Sequence, residues 1–511
     1  TLDVERVADV LGRAPVLTCP GQAHPVETIY CGRPRGQTVE GAVVATVRKA
    51  VAEGCGSILV FLPGAAEIRR VAKQLEASSL GPAWRIAPLY GNLSLASQTS
   101  AILPAANGQY KIVLATSIAE TSLTIEGIRV VVDSGLSRVP KFDAGSGLTR
   151  LVTLPVTKAS ADQRRGRAGR MTAGTCFRLW SREQHAGLIP QARPAILEAD
   201  LAPLALELAL WGLTDATSLD WLDPPPPAAL QQARDLLMRL AALDREGRIT
   251  DHGRQMATLP LHPRLAHMVL KAMAGGTGDL ACDLAALLSE RDIVRFGPGE
   301  RDADLRLRLD ILAQFRRERH FHDPSGIVDK SACRRVIQVS DNLRRRLAIT
   351  CRCDDHNMAG VLLAWAYPDR IAQRRDGHSG RFLLAGGRGA YLDAAEPLAA
   401  SDYLVAATLD GERREARIFL GAAMTLNSLY DHFEADMHRE EKVDWDTERQ
   451  AVRAERHLRL GALRIKIEPL AAIPDEARQA ALLKGLRLAG LACLPWTKNQ
   501  RSWQARVLFL R

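Results

Sequence analysis

The segment Gln163-Arg-Arg-Gly-Arg-Ala-Gly-Arg170 concentrates residue types that handle phosphoryl anions. Its four arginines cannot lose their charge, and each guanidinium offers a planar fork of donors to phosphate oxygens. Its two glycines, Gly166 among them, let backbone come close to a partner. A solvated basic loop or a nonspecific RNA patch has the same composition, so the surroundings must decide. About 45 residues upstream, Ala115-Thr-Ser-Ile-Ala-Glu-Thr-Ser-Leu-Thr-Ile125 is rich in hydroxyls. Hydroxyls bind phosphate oxygens together with backbone N–H groups. Their plainer use is to cap a helix after a strand.

The elements that must position these residues follow from patterning. Ser57–Leu62 (SILVFL), Tyr110–Thr116 and Arg129–Asp133 read as buried strands, and Ala65–Leu75 as an amphipathic helix. Apolar strands with helices between them predict an α/β domain over 1–183, its parallel sheet covered on both faces. The hydroxyl-rich segment directly follows a strand. Leu136–Leu151 reads as two strand pieces around a Gly-rich turn, a plain surface hairpin on sequence alone.

The chain is multidomain beyond this point. Over 184–259 the pattern is helical, with Leu201, Leu204 and Leu208 on one face and Leu236, Leu240 and Leu243 on another. Pro224–Pro227 is a stiff connector, and a short turn and strand over Leu243–Gly253 suggests a winged helix. Residues 260–370 read as an all-helical bundle. Over 371–423, Arg381–Leu384, Tyr403–Leu409 and Arg417–Leu420 read as strands of a small, OB-like β-barrel. Residues 424–511 read as an α+β region, with a strand at Leu463–Ile467 and a helix at Glu476–Leu488.

Composition excludes the other broad classes. At 511 residues, 47% hydrophobic and 25% charged, the chain has material for several cores and no need of disulfide staples. Net charge is +10, carried by 57 Arg and 11 Lys. The stretch 291–352 holds 15 basic and 9 acidic residues. Such a helix-borne charge suits phosphate neutralisation, and equally a solvated face. No apolar run approaches a membrane span. The nine cysteines are scattered, which predicts reduced thiols, no structural zinc and a cytoplasmic location. His262 and His267 have no metal-binding partner motif, and Trp365 and Tyr367 are of a type commoner in cores than in base stacking.

In this order the segments resemble the second RecA-like domain of a superfamily 2 helicase of the DEAH/RHA class. ILVFLPGAAEI (58–68) resembles motif IV, ATSIAETSLTI motif V and QRRGRAGR motif VI. LDPPPPAAL (222–230) and 242–268 resemble the winged-helix and ratchet modules of that class. LYGNLSLASQ (89–98), GRFLLAGGRGAYL (380–392) and CLPWTKNQ (493–500) resemble the bacterial HrpB type. The resemblance implies that Gln163, Arg167 and Arg170 face the γ-phosphate of ATP. It places Thr124, Glu126 and Gly166 near the nucleotide. It places Thr116, Ser117, Gly64 and Arg138 on the nucleic-acid side, with a strand-separating hairpin over 136–151. A cation at the transferring phosphoryl group is worth about 10³–10⁵ in rate in NTPases.

Ser117 stands where the class has Asn, and Glu126 where it has Asp. Near Ile102 and Leu103 the base site is aliphatic, which predicts weak selectivity among NTPs. No Gly-Lys-Ser/Thr and no Asp-Glu-x-His occurs in the chain. The phosphate-cradling loop and the Mg²⁺ site are therefore expected in a first RecA-like domain preceding Thr1, which reads as the last residue of motif III. The chain is also expected to stop inside the HrpB-type C-terminal region. The implied partner is RNA, with DNA as an alternative, and the chain is expected to act as a monomer. The competing reading is a non-catalytic RNA-binding protein with helicase-derived folds.

Overall fold

The computed structural model describes residues 4–510 except 19–23, 35, 55, 79, 92, 94, 107, 122, 144–147, 298–299, 319–322, 324–326, 354, 376, 411–414 and 491–493. Thr1, the hairpin's Gly-rich turn, and Asn92, Ser94 and Cys493 of the HrpB-like stretches thus lie outside the described residues. The chain forms two compact units, 1–208 with 213–234, and 209–212 with 235–511. The division passes through the segment read as a winged helix.

The first unit is built on six parallel strands: β1 (Val26–Tyr30), β2 (Ser57–Phe61), β3 (Trp84–Leu89), β4 (Tyr110–Ala115), β5 (Ile128–Asp133) and, after the hairpin strands β6 (Leu136–Asp143) and β7 (Leu148–Pro155), β8 (Gly174–Arg178). Their order is β1-β8-β5-β2-β4-β3. Strand alternation divides the apolar residues between two cores. Ile58, Val60, Ile112, Leu114, Val130 and Val132 face the helices Val39–Ala52 and Ala65–Glu76. Leu59, Phe61, Val113 and Val131 enter a second core with Ala119, Ala168 and Cys176. Apolar residues on both sides of each strand are the requirement of a covered parallel sheet. β6 and β7 pair antiparallel over their full length, giving the expected hairpin.

In the second unit, a tight turn closed by the Leu243–Ile249 bridge leads into the helix Asp251–Ala257. Helices Pro263–Ala274, Gly278–Ser289, Leu305–Arg317, Lys330–Arg346 and Ala359–Ala366 then form the bundle. Strands β9 (Ile371–Arg374), β10 (Arg381–Leu384), β11 (Gly389–Tyr391), β12 (Tyr403–Leu409) and β13 (Glu415–Met424) close a five-stranded barrel, with β11 and β13 its parallel pair. β14 (His438–Asp446), β15 (Ala451–Leu460) and β16 (Leu463–Pro469) follow as an antiparallel meander, with helix Asp475–Ala489 after it. The first two meander strands escape the sequence patterning because both carry many charges: β14 is largely exposed, and β15 mixes exposed and half-buried positions with buried His457 and Leu460.

Candidate nucleotide and nucleic-acid site

Motif VI begins at a capped helix. Thr157 Oγ1 accepts the Ser160 N–H at 3.1 Å, opening the helix Lys158–Gly166, which tightens into a 3₁₀ turn over Arg167–Gly169. Helical phase then sends neighbouring arginines in different directions. Arg164 is 1% exposed and donates to Glu120 Oε1 at 2.6 Å, Asp133 Oδ1 at 2.8 Å and the Leu136 carbonyl at 3.1 Å. Its guanidinium lies 4.9 Å from the Phe61 ring centroid. Burial opposes its charge, but Asp133 and Glu120 outweigh that and hold its pKa above the ordinary value. One residue thus joins motifs IV, V and VI to the root of the hairpin.

Arg167 is buried as well. It donates to the Glu120 carbonyl and, at 2.7 Å, to the Leu123 carbonyl, so it pins the motif V loop. Burial, and then the charge of Arg170, push its pKa down to about 10. Arg170 is exposed, and its Nη1 donates to Thr124 Oγ1 at 2.7 Å. Glu126 is exposed two residues further on, and Gln163 is half-buried one turn before Arg167. Of the two arginines assigned to the γ-phosphate, only Arg170 presents its guanidinium at the surface. Gly166 is exposed, and a Cβ there meets nothing within 4 Å. The close approach is instead at Gly169, where a Cβ would stand 2.5 Å from the His24 carbonyl oxygen.

The nucleic-acid candidates form a second group. Thr116 follows the carboxyl end of β4, and Ser117 is exposed beside it. Gly64 is the N-cap of the helix after β2, and Arg138 on β6 folds over it, its Nη1 2.5 Å from where a Cβ would lie. Arg138 also pairs with Glu67 at 3.6 Å and donates to Thr153 Oγ1 at 3.3 Å. Sequence spacing had no means of joining Gly64 to Arg138. Thr124 and Glu126 lie just before β5, whereas Asp133, under Arg164, ends it. The two groups therefore sit at opposite ends of a six-residue strand, roughly 17 Å apart along it. Glu120 and Asp133 were missed by sequence reasoning, since nothing local marks a carboxylate as the partner of a buried arginine.

The exposed Arg170 guanidinium and Thr124 hydroxyl fit one side of a phosphoryl anion. Among the described residues no cluster of three or more His, Cys, Asp or Glu could hold a metal ion. Leu103, at the aliphatic base position, is exposed. Trp365 is buried in the bundle core, and His262 Nδ1 accepts the Arg264 N–H at 3.3 Å as a helix cap. No helix among the described residues is long and apolar enough to cross a membrane. In the basic stretch 291–352, Arg308 pairs with Asp292, and Arg316 and Arg344 converge on the buried Asp283. Part of that charge is therefore structural, while Arg334 and Arg345 remain exposed on one helix face.

Comparison with known proteins agrees with this arrangement. Residues 43–172 match the family described as "Helicase conserved C-terminal domain". Residues 233–261 match "Helicase associated domain (HA2), winged-helix", and 437–470 match "ATP-dependent RNA helicase HrpB, connector region". Helicase C-terminal, HA2 winged-helix and HrpB-connector modules thus occur together in this chain. The chain is 39% identical over 510 residues to the ATP-dependent RNA helicase HrpB of Escherichia coli K12, covering 99% of this chain and 60% of that protein. It is 36% identical over 299 residues to the pre-mRNA-splicing factor ATP-dependent RNA helicase prp22 of Schizosaccharomyces pombe, covering 57% and 26%. Crystal structures described as E. coli DExH-box NTPase HrpB and Escherichia coli DEAH/RHA helicase HrpB superpose with TM-scores of 0.79 and 0.81. Their identities are 38% and 37%, over 98% of this chain and 58% and 60% of theirs. Over nearly its whole length the chain is thus similar to bacterial HrpB-type DEAH/RHA helicases, and the modules it matches are those of a helicase C-terminal portion. It spans about three fifths of the length of the HrpB relative.

Proposed function

We propose that this chain is the RNA-handling and arginine-contributing part of an ATP-dependent RNA helicase. The observation that carries the reading is the Arg164 junction, which ties the motif V loop at Glu120 to the end of β5 and the hairpin root through buried, charge-assisted hydrogen bonds, while Arg167 holds the same loop toward Thr124. In this reading 1–183 is the second RecA-like motor domain, 184–259 the winged helix, 260–370 the ratchet-like bundle, 371–423 the OB-like barrel and 424–511 the HrpB-type C-terminal region. When bound with Mg²⁺, ATP supplies a phosphoryl group whose developing charge a guanidinium stabilises. In this reading Arg170 does this, together with Gln163. Arg167 holds the loop that carries Thr124 and Glu126. Thr116, Ser117 and Arg138 meet the RNA backbone.

The chain by itself is expected to bind single-stranded RNA and to turn over no ATP, because it contains no Gly-Lys-Ser/Thr loop. Fluorescence anisotropy with a labelled RNA and a phosphate-release assay on the same preparation test both halves. RNA-stimulated ATP turnover abolished by Arg170→Ala would overturn the half-motor reading. The absence of RNA binding at low salt would overturn the RNA reading.

A further inference from the structure

A cavity of about 690 Å³ lies under the hairpin in the first unit. It is framed by backbone bonding and opens to solvent beside Leu154 and Ile189. The Phe142 N–H donates to the Glu198 carbonyl at 2.7 Å, tying β6 to the segment after motif VI. The Lys158 and Ala159 N–H groups donate to the Ile189 and Pro190 carbonyls, each at 3.0 Å, tying the motif VI helix to that same segment. The volume falls within the range of small-ligand sites.

The walls are apolar where Val139, Pro140, Leu154, Val156 and Ile189 line them. Ser117, the exposed residue after Thr116, lines the cavity too, so it is continuous with motif V. Three acidic residues, Glu120, Glu198 and Asp200, share the lining with two basic ones, Lys141 and Arg193. Glu120 is already engaged by Arg164. With Glu120 paired to Arg164, the lining has no net positive charge to hold a phosphate, and Glu198 and Asp200 are its remaining carboxylates. They favour a flat neutral ring with N–H donors at its edge, because a carboxylate accepts from an exocyclic amine. Uracil presents a carbonyl oxygen where cytosine presents that amine.

We infer that this cavity takes an unstacked nucleobase bearing an exocyclic amine, from the strand whose backbone crosses Thr116 and Ser117. The inference rests on the RNA-binding reading above and adds a base preference to it. The apolar walls cover the ring faces, and the acidic residues accept at its edge.

The test compares fluorescein-labelled oligo(C), oligo(U) and an abasic oligomer of equal length binding to the full chain at low salt. The pair of pyrimidines differs at the amine and carbonyl edge with little difference in stacking. Wild-type chain should bind oligo(C) about tenfold more tightly than oligo(U). Val139→Trp, which fills the cavity, should bring oligo(C) down to the level of the abasic oligomer while leaving the abasic affinity unchanged. That unchanged affinity also reports an intact fold. Glu198→Gln should narrow the oligo(C) to oligo(U) ratio without filling the cavity. Equal affinity for the two pyrimidines, untouched by either variant, overturns the base pocket and leaves RNA binding standing. Failure of all three oligomers to bind overturns the RNA reading, and the pocket's occupant with it.

Discussion

Arg164 and Arg170 stand six residues apart and act in opposite ways. Arg164 is buried between two carboxylates, so its removal leaves Glu120 and Asp133 uncompensated in a region that excludes water. Breaking a buried ion pair from one side costs about 3–5 kcal/mol, and Arg164→Ala should lower the urea unfolding free energy of the first unit by that order. Arg170 makes one hydrogen bond to Thr124 at an exposed site. Arg170→Ala should change stability by less than about 0.5 kcal/mol, measured in the same way, which makes it the clean probe of function. A large loss of stability in Arg170→Ala would show that its role is structural. The two arginines look equivalent in the sequence. The difference arises because a helix advances by about 100° per residue, and only the packed sheet defines which direction is inside.

At the scale of elements, close contact and burial set the expectations. The helix Ala359–Ala366 presses on β13 at Gly360, where a Cβ would come 2.2 Å from the Ala423 carbonyl oxygen. Backbone cannot yield as a side chain can, so Gly360→Ala should destabilise the second unit by about 3 kcal/mol, read from thermal unfolding. Gly64→Ala meets only side-chain ends, Arg138 Nη1 at 2.5 Å and Glu67 Oε2 at 2.9 Å. It should leave stability nearly intact and weaken RNA binding by displacing Arg138, checked by anisotropy. The helices Asp251–Ala257 and Pro263–Ala274 are joined by a hydrogen bond of 2.8 Å between His252 Nε2 and His267 Nδ1. Burial first, then His252 and Lys271, push the His267 pKa down to about 3. The unfolded chain takes up this proton near pH 6.5 and the folded chain does not, so stability is full above pH 6.5 and falls as pH drops toward 3. At pH 5 the loss from this group is about 2 kcal/mol, and His267→Gln should flatten that slope in denaturant titrations across pH 7 to 5.

For the whole molecule, a net charge of +10 overstates the positive charge free at the surface. Arg164, Arg308, Arg316 and Arg344 are paired inward, Arg138 is half-buried beside Glu67, and Arg170, Arg334 and Arg345 are exposed. If about four to six phosphates are neutralised, the logarithm of RNA affinity should fall with the logarithm of salt with a slope of about −3 to −4. A slope near zero in anisotropy titrations would contradict an electrostatic RNA site. Much of the architecture was legible in the chain itself. The apolar strands 57–61, 110–115 and 128–133, the barrel strands 381–384 and 403–409, and the motif segments were all readable, because alternation and turn residues are local signals. β14 and β15 were not, since the charges along them break up any apolar alternation: β14 is largely exposed and β15 mixes exposed and half-buried positions. The sequence by itself determined which segments carry the Arg-rich and hydroxyl-rich motifs. Only the tertiary structure decided that Arg170 faces outward while Arg164 and Arg167 lock the motif V loop. The Arg164 partners lie 44 and 31 residues away along the chain, and long-range docking of the motif VI helix against the sheet sets which carboxylates it finds.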